Sequence, residues 1–125
     1  MNLTAVEIKA FVPASDFAVS KAFYEALGFE IPWSSDGLAY VRHGETSFLL
    51  QHVDAPGFAD NYQMHLLVED VDAWYDHVIA SGVVERFGLR IDAPKLQPWG
   101  MRDFPLADPG GVLWRIAQNV PPRVE

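Results

Sequence analysis

Apolar and polar positions along the chain change their period several times, and the changes come twice in the same order. Residues 5–12 (AVEIKAFV) are rich in β-branched and aromatic residues, with polar Glu7 and Lys9 two apart, which predicts a strand ended by Pro13. From Asp16 the period lengthens. Val19, Phe23 and Leu27 recur every four residues, the stripe of a helix that Asp16 caps and Gly28 closes. Runs at 29–33, 38–42 and 46–52 predict three short strands, and the Pro, Gly, Asp and Asn of 54–61 (DAPGFADN) read as a linker. The order then starts again. A strand is predicted at 62–68, and a helix capped by Asp70 follows, with Val71, Trp74 or Tyr75, and Val78 facing inward until Gly82 stops it. The stretch 83–100 is less regular, with a strand near 89–91 and a Pro-containing loop over 93–100. Strands at 101–107 and 112–118 are joined by the turn residues Asp108, Pro109, Gly110 and Gly111.

In both copies a Gly follows the capping Asp by twelve residues, and an apolar residue, Phe29 or Val83, comes next. A repeat of this length means one supersecondary unit used twice, and a site between the copies would draw on equivalent positions. The expectation is a single α+β domain over 1–125, with module one at about 1–55 and module two at about 61–120. Each module is βαβββ, and the two pair into a curled eight-stranded mixed sheet around a cleft.

Composition narrows the function. The chain is 50% hydrophobic and 21% charged, ordinary for a folded globular domain. A net charge of −8 argues against nucleic acid, which needs a basic face. At long range it favours cationic ligands, and it serves solubility equally well. No apolar run is long enough for a membrane span, and MNLTAVEIKA lacks the charged-then-apolar order of a secretion signal. With no Cys there is neither a disulfide nor thiolate chemistry, and the expectation is a cytoplasmic protein.

Three stretches carry a family resemblance. DFAVSKAFYEALGFE (16–30) resembles the first helix of the vicinal oxygen chelate superfamily, which holds glyoxalase I, extradiol dioxygenases, fosfomycin resistance enzymes and bleomycin resistance proteins. HLLVEDVDAWYDHVIASGV (65–83) resembles its second helix region, and PWGMRDFPLADPGGVLWRI (98–116) its closing hairpin. For metal-using members the resemblance implies His, Gln or Glu ligands on the first and last strands of each half. Those places fall here on Lys9, Gln63 and Arg115, with Gln51 or Leu49 for the fourth. An ammonium and a guanidinium have no free lone pair and repel a divalent cation, and one or two Gln oxygens are too few. The expectation is therefore no metal and no cofactor. A site rebuilt from Glu7, His52 and His65 is the alternative. His43 and His77 read as surface residues, and Ser20, Ser47 and Ser81 lack a base partner, so no catalytic residue is assigned.

Among metal-free members the chain is most similar to the bleomycin resistance proteins, which sequester a ligand in clefts across a homodimer. That resemblance implies a small-molecule binder and a homodimer. The candidate ligand-binding residues are Lys9, Trp33, Phe48, Gln51, Gln63, His65, Trp99, Arg102 and Arg115. Flat rings stack on planar ligands and hold cations by their faces. The other readings are a lyase or dioxygenase with an atypical metal site, and an enzyme using Lys9 or Arg115 to stabilise an enolate. Charge leaves one question open. Unpaired, Lys9, Arg102 and Arg115 would favour an anion; paired with Glu7 and with Asp103 or Glu30, they would leave a nearly neutral cleft.

Overall fold

The computed structural model describes residues 1–121. The first module comprises β1 (Phe11–Ala14), α1 (Phe17–Leu27), β2 (Glu30–Ser34), β3 (Leu38–His43) and β4 (Thr46–His52). The second comprises β5 (Gln63–Leu67), α2 (Val71–Ser81), a short α3 (Val83–Phe87), β6 (Lys95–Leu96), β7 (Met101–Ala107) and β8 (Leu113–Asn119). The strand orders are β1-β4-β3-β2 and β5-β8-β7-β6, so the repeat in sequence is a repeat in topology. In each sheet the module's first strand lies at one edge and runs parallel to its last strand, and the remaining pairs are antiparallel. The eight strands thus form two four-stranded mixed sheets rather than one continuous one. No helix among the described residues is long and apolar enough to cross a membrane.

The two long helices begin and end by the same chemistry. Asp16 accepts from the Val19 amide at 3.2 Å and Asp70 from the Ala73 amide at 3.0 Å, each relieving a donor that has no partner inside the helix. Gly28 and Gly82 close them in the left-handed region at φ 107° and 78°. The inward stripe of α1 is Ser20, Phe23, Tyr24 and Leu27, so Val19 is not part of it and lies at the surface. Val71 and Val78 of α2 are fully buried, as their spacing predicts.

The inner faces of both sheets meet the helices in one core. Phe48 of the first sheet and Trp114 of the second lie with ring centres 5.3 Å apart, and Tyr24 and Phe29 pack against both. A buried polar chain crosses this seam. The Trp114 indole donates to the Tyr24 hydroxyl at 2.9 Å, and Tyr24 donates to Asp108 at 2.6 Å. The other Asp108 oxygen accepts from the Gly110 and Val112 amides at 2.9 Å each, which shapes the turn into β8. Burial, then the Asp108 charge, raises the Tyr24 phenol well above its ordinary range; burial also pushes the Asp108 carboxyl up, against the pull of its donors.

Three elements differ from the sequence expectation. The first strand starts at Phe11, because residues 1–10 leave the sheet at Ala10, whose carbonyl accepts from the Leu49 amide. Leu3, Val6 and Ile8 on that arm are exposed, so the alternation that predicts a strand there meets no covering surface within one chain. Val83–Phe87 is a helical turn, and the edge strand falls at Lys95–Leu96. Ile91 makes only an isolated bridge to Leu106.

Candidate ligand-binding site

Strand alternation sorts the first sheet into two faces. Ala39, Val41, Phe48 and Leu50 point into the core, which leaves Leu38, Tyr40, Ser47, Leu49 and Gln51 on the opposite, open face. Trp33 is paired with Tyr40 across β2 and β3 and is 51% exposed; Phe11 is paired with Leu49 and is 52% exposed. Lys9 reaches over this face. Its ammonium lies 5.2 Å from the centre of the Tyr40 ring and 2.6 Å from Glu7, and Glu7 also accepts from Ser47 at 2.7 Å. The Lys9 hydrogen bond, then that of Ser47, holds the Glu7 carboxyl below its usual range.

In the second sheet Trp114, Ile116, Phe104 and Leu106 face the core. Gln63, His65, Leu113, Arg115, Asp103 and Pro105 take the open side, with His65 beside Arg115 and Gln63 beside Leu113 in the parallel pair. The loop after β6 folds over this face and brings Trp99 to its rim. A cavity of about 480 Å³ results, lined by Lys95, Gln97, Trp99, Asp103, Pro105 and Arg115, with Asp92 and Ala93 closing one side. Asp103 is buried beside its cross-strand partner Ala117, while Lys95, Pro105 and Arg115 on this face are at least partly open. It accepts from the Gln97 amide group at 2.9 Å and lies 3.7 Å from the Arg115 guanidinium.

Seven of the nine predicted residues therefore lie on open faces or at their rim, Lys9, Trp33 and Gln51 on the first sheet and Gln63, His65, Trp99 and Arg115 on the second. Two do not. Phe48 is 2% exposed in the aromatic core, because its parity in β4 is that of Leu50. Arg102 shares the parity of Phe104 and Leu106, so it turns to the helix side and pairs with Asp72 of α2 at 2.8 Å. The candidates drawn from sequence do not include Phe11, Tyr40, Lys95 and Gln97, and they hold Asp103 only as a charge partner for an arginine. For Asp103 the available signal was alternation with Phe104, although a buried carboxylate is uncommon enough to hide it.

Because the inner faces share one core, the open faces are turned away from it, and the large cavity is built from the second module alone. A single chain does not enclose the expected cleft between the modules. The alternative donors do not assemble either. His52 sits on the inner parity of β4 and His65 on the open face of the other sheet, and among the described residues no three His, Asp or Glu side chains converge as a metal site.

The question of charge is answered by the pairs. Lys9 meets Glu7, Arg115 faces Asp103, Arg102 meets Asp72, and Arg42 meets Glu30 at 3.0 Å. At the places of the family's metal ligands stand an ammonium and a guanidinium, each with its own carboxylate and neither with a lone pair to give. That donor set does not fit a divalent cation. Nor does it leave Lys9 or Arg115 as a bare cation for an anionic intermediate; of the cavity-lining cations, Lys95 alone forms no ion pair among the described residues.

Residues 6–116 match the Glyoxalase/Bleomycin resistance protein/Dioxygenase superfamily. The chain is 34% identical over 113 residues to a bleomycin resistance protein of Klebsiella pneumoniae, covering 86% of this chain and 88% of that one. Its fold is similar to that of a bleomycin-binding protein solved with bleomycin, at a TM-score of 0.81 and 30% identity, over 92% of this chain and 99% of the other. A bleomycin resistance determinant encoded on transposon Tn5 aligns at 0.76 and 27% identity, over 92% and 98%.

Proposed function

The chain belongs to the Glyoxalase/Bleomycin resistance protein/Dioxygenase superfamily, and from that premise we propose that it binds and sequesters a bleomycin-type glycopeptide in the cytoplasm without transforming it. The observation that carries this reading is the pairing of Lys9 and Arg115, the cations at the family's ligand places, with Glu7 and Asp103 while two indoles, Trp33 and Trp99, stand 51% and 60% exposed. Exposed rings on fixed strands and a short loop suit stacking on a planar heteroaromatic group. The paired charges and the amides of Gln51 and Gln63 suit hydrogen bonds to a polar scaffold. Lys9, Gln51, Gln63, His65 and Arg115 belong to this proposal as groups that orient the ligand.

A homodimer completes it. The two open faces lie on opposite sides of one core, so a second copy is what sets a ringed first-sheet face against a polar second-sheet face. The arm supports this: Leu3, Val6 and Ile8 are 83%, 89% and 96% exposed, an apolar row that needs cover.

Titration of the intrinsic tryptophan emission with bleomycin tests the reading, with sedimentation at the same concentrations giving the number of copies. The expected result is saturable quenching by a dimer, with affinity lowered about tenfold or more in Trp99→Ala, as truncation of a stacked aromatic anchor requires. Unchanged emission at high ligand concentration would refute bleomycin as the ligand.

A further inference from the structure

Trp99 stands at the tip of a tight connection between β6 and β7. β6 is a two-residue edge strand, too short to hold the connection alone. The backbone closes the turn: the Gln97 amide donates to the Met101 carbonyl at 2.7 Å, and the Gly100 amide donates to the Gln97 carbonyl at 3.1 Å, with Gly100 at φ 83°. These bonds define the turn's shape, and the Val120 amide, donating to the Gly100 carbonyl at 3.1 Å, ties the Gly100 end of the turn to the end of β8. At the Gln97 end the link to the sheet runs through side chains as well. Gln97 donates 2.9 Å to the Asp103 carboxylate, and the same carboxylate oxygen lies 3.7 Å from the Arg115 guanidinium. Asp103 is 1% exposed, beside the buried Ala117 and the partly open Pro105 and Arg115. A carboxylate so placed loses its hydration and is tolerated only where donors replace the water. Here the donors come from the loop that carries Trp99 and from the strand that carries Arg115.

We propose that Asp103 is a positioning residue that fixes the Trp99 loop and the Arg115 guanidinium relative to one another in the ligand-free protein, so that the site is set before its ligand arrives. The inference rests on the reading of Trp99 as a ring that stacks on the ligand. Preorganisation of this kind raises affinity by removing the cost of ordering a loop and a long side chain on binding.

The test uses the full chain labelled with 5-fluorotryptophan, whose four fluorine resonances are assigned by single Trp→Phe changes. In ligand-free Asp103→Ala the Trp99 resonance is expected to move toward its unfolded position while those of Trp74 and Trp114 stay in place. Asp103→Asn keeps an acceptor for Gln97 and should bring the Trp99 resonance back toward the wild-type position. Gln97→Ala removes the tether from a half-buried position, so it carries the test if Asp103→Ala does not fold. Bleomycin dissociation constants should rise about tenfold in Gln97→Ala, the scale of one hydrogen bond to a charged group. A Trp99 resonance unmoved by Gln97→Ala overturns the proposal, as does a moved resonance with unchanged affinity in a protein that binds bleomycin. If wild type binds no bleomycin and Trp99 still moves, the positioning role is supported and the ligand assignment is what fails.

Discussion

On the open face of the first sheet stand Phe11, Trp33, Leu38, Tyr40 and Leu49, with two ion pairs, Lys9 and Glu7 lying across the rings and Arg42 and Glu30 beside them. The same face of the second sheet carries Gln63, His65, Lys95, Gln97, Asp103 and Arg115, with a single indole, Trp99, at its rim. Topology, helix caps and glycine stops are shared; the open-face chemistry is not. The difference separates two duties. Inner-face side chains are held by a common core, where any change of volume is felt by both modules. Open-face side chains bear little of the fold and are free to specialise, one sheet toward stacking and the other toward hydrogen bonding.

The sharpest way to break this division is to truncate one ring on each face. Phe48→Ala removes a side chain packed against Tyr24, Phe29 and Trp114 and should cost about 3–5 kcal/mol of unfolding free energy. Trp33→Ala removes a larger ring from the open face and should leave stability within about 1 kcal/mol while weakening bleomycin binding. Urea unfolding of the two variants beside wild type measures both. Equal losses would mean that the open face also holds the fold together.

The same division explains what could be read from sequence. Helices, caps and stops were legible because Asp16, Gly28, Asp70 and Gly82 act locally, through their own amides and φ angles. Face assignment was legible only where apolar and polar residues alternate. In Phe48, Leu49 and Leu50 three apolar residues run together, so the pattern does not say which of them turns inward, and Phe48 was placed on the wrong side. Arg102 breaks the apolar series of Phe104 and Leu106 near the start of β7, where a guanidinium reaches past the core to Asp72. The length of the first strand was illegible for another reason. Val6 and Ile8 alternate as a strand does, yet what covers an exposed arm is not encoded in the arm. The pairing of Lys9 with Glu7 was foreseeable from their spacing of two on one face; that of Arg115 with Asp103 depends on the register between β7 and β8.

A smaller contrast lies between the two glycine stops, which the repeat presents as equivalents. A Cβ on Gly28 would meet the His77 ring nitrogen at 3.3 Å, whereas one on Gly82 would have nothing within 4 Å. Both sit at positive φ, so Ala at either site carries the left-handed penalty of about 1 kcal/mol. Only at Gly28 must a neighbour also give way, and that neighbour is engaged: His77 Nε2 lies 2.6 Å from the Leu27 carbonyl. Gly28→Ala should therefore cost more than Gly82→Ala, by up to about 1 kcal/mol, in paired thermal or urea melts. Equal costs would show that the seam between α1 and α2 is loose enough to absorb a methyl group.

The chain of Trp114, Tyr24 and Asp108 joins the modules at their common face, and it gives that face a dependence on alkaline pH. In the unfolded chain Tyr24 ionises near its reference value of 10.0, while in the fold burial and the Asp108 charge hold it well above. A group whose folded value is raised contributes stability in full below the unfolded value and loses it as pH rises toward the folded one. The window here opens at about pH 10, and by about pH 11 this phenol alone should have removed roughly 1 kcal/mol. Tyr24→Phe starts from lower stability at neutral pH, because Asp108 and the Trp114 indole each lose a partner, but its stability should fall less steeply above pH 10. Urea midpoints of the two proteins across pH 9 to 11 on the reference scale decide it. Profiles that stay parallel would place the alkaline transition elsewhere and leave the seam between the modules held by packing alone.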